Sequence, residues 1–335
     1  AAQAASPDYW AFAYLDDPNP PPGYVTDVHY QSNSVCPWLH TSVTHYGSGV
    51  YELRVPCVGG GPDPGVVHVT AVDPKGHYCK VGKWDNSGPD VFAYVFCFDR
   101  FGSPDPSRFT FLFSNGPAVP PPGAYAYVWW NPWSGVSSSY NSTGAPNAAN
   151  PVGSGLWEVY LTGLGPIGTH GNLQATAVDS GPDAFRCKIV KWGQSAADQY
   201  VVVGCFDGNN RPRDDVGWTL SYSAKTPVHG SVSPPDHYAY LWSDLGGTMI
   251  DDYNSVGSLN AVAPLGGGQY EIVHRLVGYR QTTIQVTAIG SDEAYCVLTD
   301  LWKVSVPDVF AWVSCWDGFG NPAKSGFFES YTSAV

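Results

Sequence analysis

Eight cysteines carry the most informative spacing in this chain of 335 residues. Cys79 and Cys97, Cys187 and Cys205, and Cys296 and Cys315 lie 18, 18 and 19 residues apart, and Cys36 and Cys57 are left over. Thiols in such numbers bind zinc or close disulfides. No C-x-x-C run or neighbouring Cys/His set is present, so no metal is expected, and the pairs Cys79–Cys97, Cys187–Cys205, Cys296–Cys315 and Cys36–Cys57 read as disulfides. Facing residues of an antiparallel hairpin share a constant index sum, so each of the first three pairs places a turn at its midpoint. The midpoints fall in Asn86-Ser87-Gly88-Pro89-Asp90, Ser195-Ala196-Ala197-Asp198 and Ser305-Val306-Pro307-Asp308, of which two have turn-forming composition. Closing a loop of this size is worth roughly 3 kcal/mol in the chain-entropy model.

Acid–base chemistry has fewer candidates. Asp16-Asp17, Asp214-Asp215 and Asp251-Asp252 are adjacent pairs, and neighbours on a strand point to opposite faces. Glu52, Glu158 and Glu271 recur, as do Asp99, Asp207 and Asp317. A glycosidase needs two carboxylates at a set separation, yet a recurring acid reads better as structural. Asp99, opening Asp99-Arg100-Phe101-Gly102, is placed to accept backbone N–H bonds within a turn. The nine histidines match no metal motif and read as surface or loop residues. Gly47-Ser48-Gly49 and Gly153-Ser154-Gly155 read as hairpin turns, not nucleophile elbows. No catalytic residue and no cofactor is expected. Aromatic stacking remains: Trp129, Trp130, Asn131 and Trp133 form a cluster found in one place only, suited to a sugar face or a protein partner. The recurring Trp84, Trp192 and Trp302 read as packing residues.

The elements that must position these residues come in threes. Tyr14, Tyr127 and Tyr240 are 113 residues apart. Tyr30-Gln31-Ser32, Tyr140-Asn141-Ser142 and Tyr253-Asn254-Ser255 follow, then Gly-x-aromatic-Glu ending at Glu52, Glu158 and Glu271, and a closing Cys-aromatic-Asp at 97–99, 205–207 and 315–317. Three repeats result, at 9–116, 122–225 and 235–335. Alternation and β-branched content in the second mark strands at 124–130, 138–142, 148–152, 156–161, 173–178, 186–190, 199–206 and 217–221. No segment has a sustained helical period. The expected fold is all-β. Eight strands per repeat fit a single six-bladed β-propeller over 1–335, two four-stranded blades per repeat, with three tandem β-sandwich domains as the alternative.

The pattern resembles a triplicated secreted repeat of actinobacteria and related soil bacteria, in which an Ala-Tyr strand leads to Tyr-Asn-Ser, Thr-Ala, Cys-Lys-Val and Cys-Phe-Asp. The match runs from Tyr125 to Asp207 and through both other copies. It is loosely similar to the dispase autolysis-inducing β-propeller group. The resemblance implies secretion and a propeller and carries no catalytic residues. Gln31 in place of Asn and the Cys36/Cys57 pair set the first repeat apart.

Composition bounds the rest. Charged residues are 13% and aromatics 14%, enough apolar matter for a large core. The net charge of −13 disfavours nucleic acid and anionic lipid. Apolar runs are of strand length, so no membrane span is expected. The start, Ala1-Ala2-Gln3-Ala4-Ala5-Ser6-Pro7, matches what a signal peptidase leaves, with Gln3 a candidate transglutaminase acceptor. Four disulfides point the same way, to an extracellular protein. The functional expectation is a secreted, non-catalytic binding or structural protein whose partner is an extracellular protein or polysaccharide. A lectin-like glycan binder is the alternative, and a glycan hydrolase or lyase the second alternative.

Overall fold

The computed structural model describes residues 8–61, 63–117, 119, 121–231 and 236–335. Ala1–Pro7, with Gln3, lie outside the described residues. The first repeat forms β1 (Tyr9–Leu15), β2 (Tyr24–Val25), β3 (Ser32–Asn33), β4 (Ser42–His45), β5 (Val50–Val55), β6 (Val66–Val72), β7 (Tyr78–Asp85), β8 (Val91–Phe98) and β9 (Arg108–Asn115). The second forms β10 (Ala124–Asn131), β11 (Gly135–Asn141), β12 (Ala148–Gly153), β13 (Leu156–Thr162), β14 (Asn172–Val178), β15 (Phe185–Gln194), β16 (Asp198–Asp207) and β17 (Gly217–Ala224). All eight strands read from its sequence are present, and the only helical turn among the described residues is the 3-10 turn Gly165–Ile167. The third forms β18 (Tyr238–Ser243), β19 (Met249–Asn254), β20 (Asn260–Gly266), β21 (Gln269–His274), β22 (Thr282–Ile289), β23 (Tyr295–Leu298), β24 (Lys303–Ser305), β25 (Asp308–Trp316) and β26 (Gly326–Ser333). The protein is all-β.

Each repeat supplies two antiparallel halves. In the second repeat, β11-β10-β17-β14 make one and β12-β13-β16-β15 the other. The halves of different repeats then join edge to edge through one parallel bridge each: Val81 to Val178, Ile189 to Ile289, and Leu298 to Val72. Three sheets of eight or nine strands result, each shared by two repeats.

The chain's route between halves differs from what blades in series require, namely an outer strand leading to the next inner one. Here β11 leads to β12, both at sheet ends, and β14 leads to β15, both at a joint. The largest cores lie between the two halves of one repeat. In the second repeat Leu173, Ala175 and Ala177 of β14 and Trp218 of β17 face Trp157, Ile189 and Val203 of the other half. The first and third repeats have apolar cores of their own, the first richer in Phe and the third completed by Tyr14, Tyr30 and Val72 of the first.

Strand alternation explains why β14 is buried along its whole length. Its odd residues enter this core, while Asn172, Gln174 and Thr176 point the other way, towards the axis shared by the repeats. There the packing is polar. Thr287 Oγ1 donates to Gln174 at 2.9 Å, Thr70 Oγ1 to Gln285 at 3.0 Å and Thr219 Oγ1 to the Val67 carbonyl at 2.8 Å. Hydrogen bonds, which require one geometry, thus set how the repeats meet.

All eight cysteines are paired, as the sequence predicts. Cys79 faces Cys97, Cys187 faces Cys205 and Cys296 faces Cys315 across their strand pairs. The turns fall at the midpoints, between β7 and β8, β15 and β16, and β24 and β25. The outermost strands β12 and β20 carry Pro151 and Pro264 at equivalent places, each followed by a bulge. In the first repeat β4 is covered by the short β2.

Candidate functional site

The cluster of Trp129 to Trp133 sits at the end of β10 and in its turn to β11, beside the joint between the first and second repeats. Consecutive strand residues face opposite ways, and this divides the cluster. Trp129 faces the joint, its ring 4.4 Å from that of Trp84 on β7. Trp130 faces the core of its own repeat, stacked on Trp218 at 6.1 Å and 8°. The structure therefore brings together Trp129, Asn131 and Trp133 and separates Trp130 from them. Asn131 accepts the Trp133 N–H at 2.9 Å, fixing the turn that presents Trp133, which is 87% exposed.

Below this turn is a cleft of about 230 Å³ lined by Lys83, Trp84, Trp129, Asn131, Trp133, Asp179 and Asp215, among others. A second cleft, of about 430 Å³, is lined by Glu52, Lys83, Trp84, Asp85, Phe92 and Tyr94. Lys83 and Trp84 line both, so the two adjoin as one groove where the first repeat meets the second, lined by aromatic rings and carboxylates.

Most of these carboxylates already have partners. Glu52 accepts hydrogen bonds from the Tyr46 and Tyr94 hydroxyls, each at 2.7 Å. That bond, aided by desolvation, pushes the Tyr94 hydroxyl up to about 12, so it stays a donor. Asp179 is held by Lys80 at 2.7 Å. Asp215 is held by Arg213, which keeps its carboxyl below the usual range. Lys83 lies 5.1 Å from the centre of the Tyr94 ring. The groove thus offers flat apolar faces edged by fixed acceptors, with little free charge to attract an ion.

The recurring residues divide by role. Asp99 accepts from the N–H groups of Phe101 and Ser103, Asp207 from those of Asn209 and Arg211, and Asp317 from those of Phe319 and Asn321. All three cap turns, as expected. Glu158 repeats the arrangement of Glu52 with the hydroxyls of Tyr200 and Tyr160. Trp84 meets Trp129, Trp192 meets Trp242, and Trp302 meets Tyr14, so each recurring tryptophan packs where one repeat joins the next.

The histidines require a correction. His68, His77, His229 and His274 are buried, not at the surface. Polar partners make this tolerable: His68 meets Thr176 of the second repeat at 3.1 Å, and His274 meets Asn260 and Glu329 of its own repeat at 2.8 and 2.7 Å. His77 lies between Asp73 and Asp105, 2.7 Å from each, and those two bonds outweigh desolvation and raise its pKa.

Sequence reasoning missed Lys83, Phe92, Tyr94 and Asp179, and weighed Asp215 only as one of an adjacent carboxylate pair. One signal was present: Lys stands before the recurring Trp at both 83–84 and 191–192. Phe92 and Tyr94 come beside them through the pairing of β7 with β8, and Asp179 and Asp215 only through the joint between repeats. Compared with family models, curated proteins and solved structures, the chain matches none.

Proposed function

We propose that this is a secreted, non-catalytic binding protein that holds an extended polysaccharide in the groove between its first and second repeats. The observation that carries this reading is Trp133, presented in the open on a braced turn above Trp129 and Trp84. An exposed indole costs solubility and recurs in neither other repeat. A sugar ring presents a flat C–H face for it, while Glu52, Asp85 and Asn131 in the lining supply acceptors and an amide for hydroxyl groups.

Four disulfides that leave no free cysteine support an extracellular setting. The resemblance to secreted repeats points the same way. A non-catalytic role fits the pairing of Glu52 and Glu158 with tyrosines, since a glycosidase needs one of its acids facing another across the scissile bond. The finer architecture we favour is three two-layered sandwiches fused around one axis. Three separate large cores and the edge-to-edge route of the chain support it, while the six four-stranded halves are what a six-bladed propeller shares with it.

The test is retention on insoluble neutral polysaccharides. The native protein should be retained, and Trp133→Ala should lose retention by tenfold or more while melting at the same temperature. No retention across a broad panel would end the glycan reading and leave an extracellular protein partner as the ligand. Release of soluble sugars from any substrate would overturn the non-catalytic assignment.

A further inference from the structure

The residue before the first cysteine of each hairpin disulfide is Tyr78, Arg186 and Tyr295 in the three repeats. Symmetry brings these positions together at the axis, where a cavity of about 50 Å³ is lined by all three and by Thr70, Thr176 and Thr287. Two of the three positions hold a phenol ring; the third holds a cation. Arg186 is only 6% exposed, and its guanidinium lies 4.8 Å from the ring centres of both Tyr78 and Tyr295.

Its hydrogen bonding is incomplete. One terminal nitrogen, Nη2, donates to Asn210 at 2.6 Å. Its Nε and Nη1 form no well-aligned hydrogen bond, and the Tyr78 hydroxyl has only that guanidinium beside it. Among the described residues no carboxylate forms an ion pair with Arg186, in contrast to the buried Lys80 and Lys188, which are held by Asp179 and Asp292. The nearby aspartates are engaged elsewhere. Asp99, Asp207 and Asp317 each cap a turn, and Asp207 also faces Arg213 at 3.5 Å.

A buried guanidinium without a counter-charge is costly, and unsatisfied buried N–H groups add to the cost. Cation–π contact with two tyrosines offsets part of it. We infer that a small monovalent anion, of the halide class, occupies the axial cavity and is held by Arg186 Nε and Nη1 and the Tyr78 hydroxyl. One positive charge calls for one negative charge. A cavity needs roughly 10–15 Å³ per water-sized occupant, so the space admits a halide with a water or two. Burial keeps the Tyr78 hydroxyl protonated and therefore a donor. Such an ion ties one residue of the first repeat to one of the second, and stabilises the folded chain in proportion to its occupancy.

Two measurements test this on the whole protein. Thermal unfolding at pH 7 is compared in sodium chloride and sodium gluconate at equal ionic strength, and native crystals soaked in sodium bromide are examined for anomalous scattering. A saturable rise in melting temperature with chloride, and a bromide peak inside the cavity, are expected. Equal melting in both salts, or no bromide peak at the axis, overturns the inference. Arg186→Gln should abolish the chloride dependence; an undiminished dependence would place the ion elsewhere and also overturn it. If that variant does not fold, Tyr78→Phe, which removes one donor, should raise the half-saturating chloride concentration about tenfold. An unchanged value in Tyr78→Phe would count against the site.

Discussion

The joint between the first and second repeats and the joint between the third and first are built on one backbone plan with different side chains. In each, a turn N–H reaches back to the neighbouring strand: Asp179 N to the Val81 carbonyl at 2.9 Å, and Asp73 N to the Leu298 carbonyl at 2.8 Å. At the first of these joints the fully buried Lys80 then fills the turn, donating to Asp179 at 2.7 Å and to the Gly181 and Asp183 carbonyls at 2.9 and 2.6 Å. Its counterpart at the other joint is Val297, which asks for nothing. Asp73 turns instead to His77, and polar contact moves to the rim, where Arg108 meets Asp300 at 3.0 Å. Gly76, at φ 81°, lets that turn lie against the Trp316 ring, where a Cβ would come within 2.6 Å. The first joint links repeats adjacent in sequence, whereas the second closes the molecule between repeats that are not. A buried cation with three acceptors specifies one register at a desolvation cost. An apolar closure with a charged rim forms without that cost.

The largest test of this contrast is acid. Burial pushes the pKa of His68, which contacts Thr176 across the first joint, down to about 3. A histidine with a lowered folded pKa stabilises above its unfolded value near 6.5, and that stability is lost as pH falls towards 3. Burial does the same to His229, so each of the two should contribute about 4 kcal/mol of loss by pH 3, read by urea unfolding across pH, and His68→Gln should remove about half of this limb. Next in size, Lys80→Ala should cost about 3 kcal/mol, because it strands Asp179 and two carbonyls. Val297→Ala at the closing joint should cost about 2 kcal/mol, from lost packing alone. Equal pH dependence of the two losses would break the comparison, since only the first removes a charge.

His77 sharpens it with the opposite sign. Its folded pKa is raised, so its bonds to Asp73 and Asp105 stabilise fully below about pH 6.5 and fade as pH rises through the folded value. His77→Asn should therefore cost about 1–2 kcal/mol at pH 5 and close to nothing at pH 9. The smallest expected effect on stability is that of Trp133→Ala, within about 0.5 kcal/mol, in contrast to its loss of ligand retention. A large destabilisation there would mean that the indole braces the joint and is not displayed for a ligand.

The strands and the hairpin disulfides were legible because they depend on neighbours in sequence. Alternation marks a strand within a few residues, and two facing cysteines locate their own turn. The groove was only half legible. Trp129 and Trp133 stood out by their absence from the other copies, but the opposite aim of Trp130 follows from strand phase, which a cluster read as a unit conceals. Asp179 and Asp215 enter the groove through a joint between repeats, and nothing in the spacing of one repeat describes its partner. His68 and His229 were misread for the same reason, since Thr176 and Trp10 of other repeats cover them, whereas His77 and His274 meet Asp105 and Glu329 of their own repeats, which lie far off in sequence.

Pro151 and Pro264 have a consequence beyond their own strands. Sheets that end in open strands invite further strands, and this molecule has three such sheets. A proline in the outermost strand has no N–H to offer a newcomer, and the bulge after it bends the edge out of line. The first repeat lacks that proline and covers its edge with β2. At these edges, then, the sheets offer a poor template to a second chain, which disfavours growth into a fibre from that side.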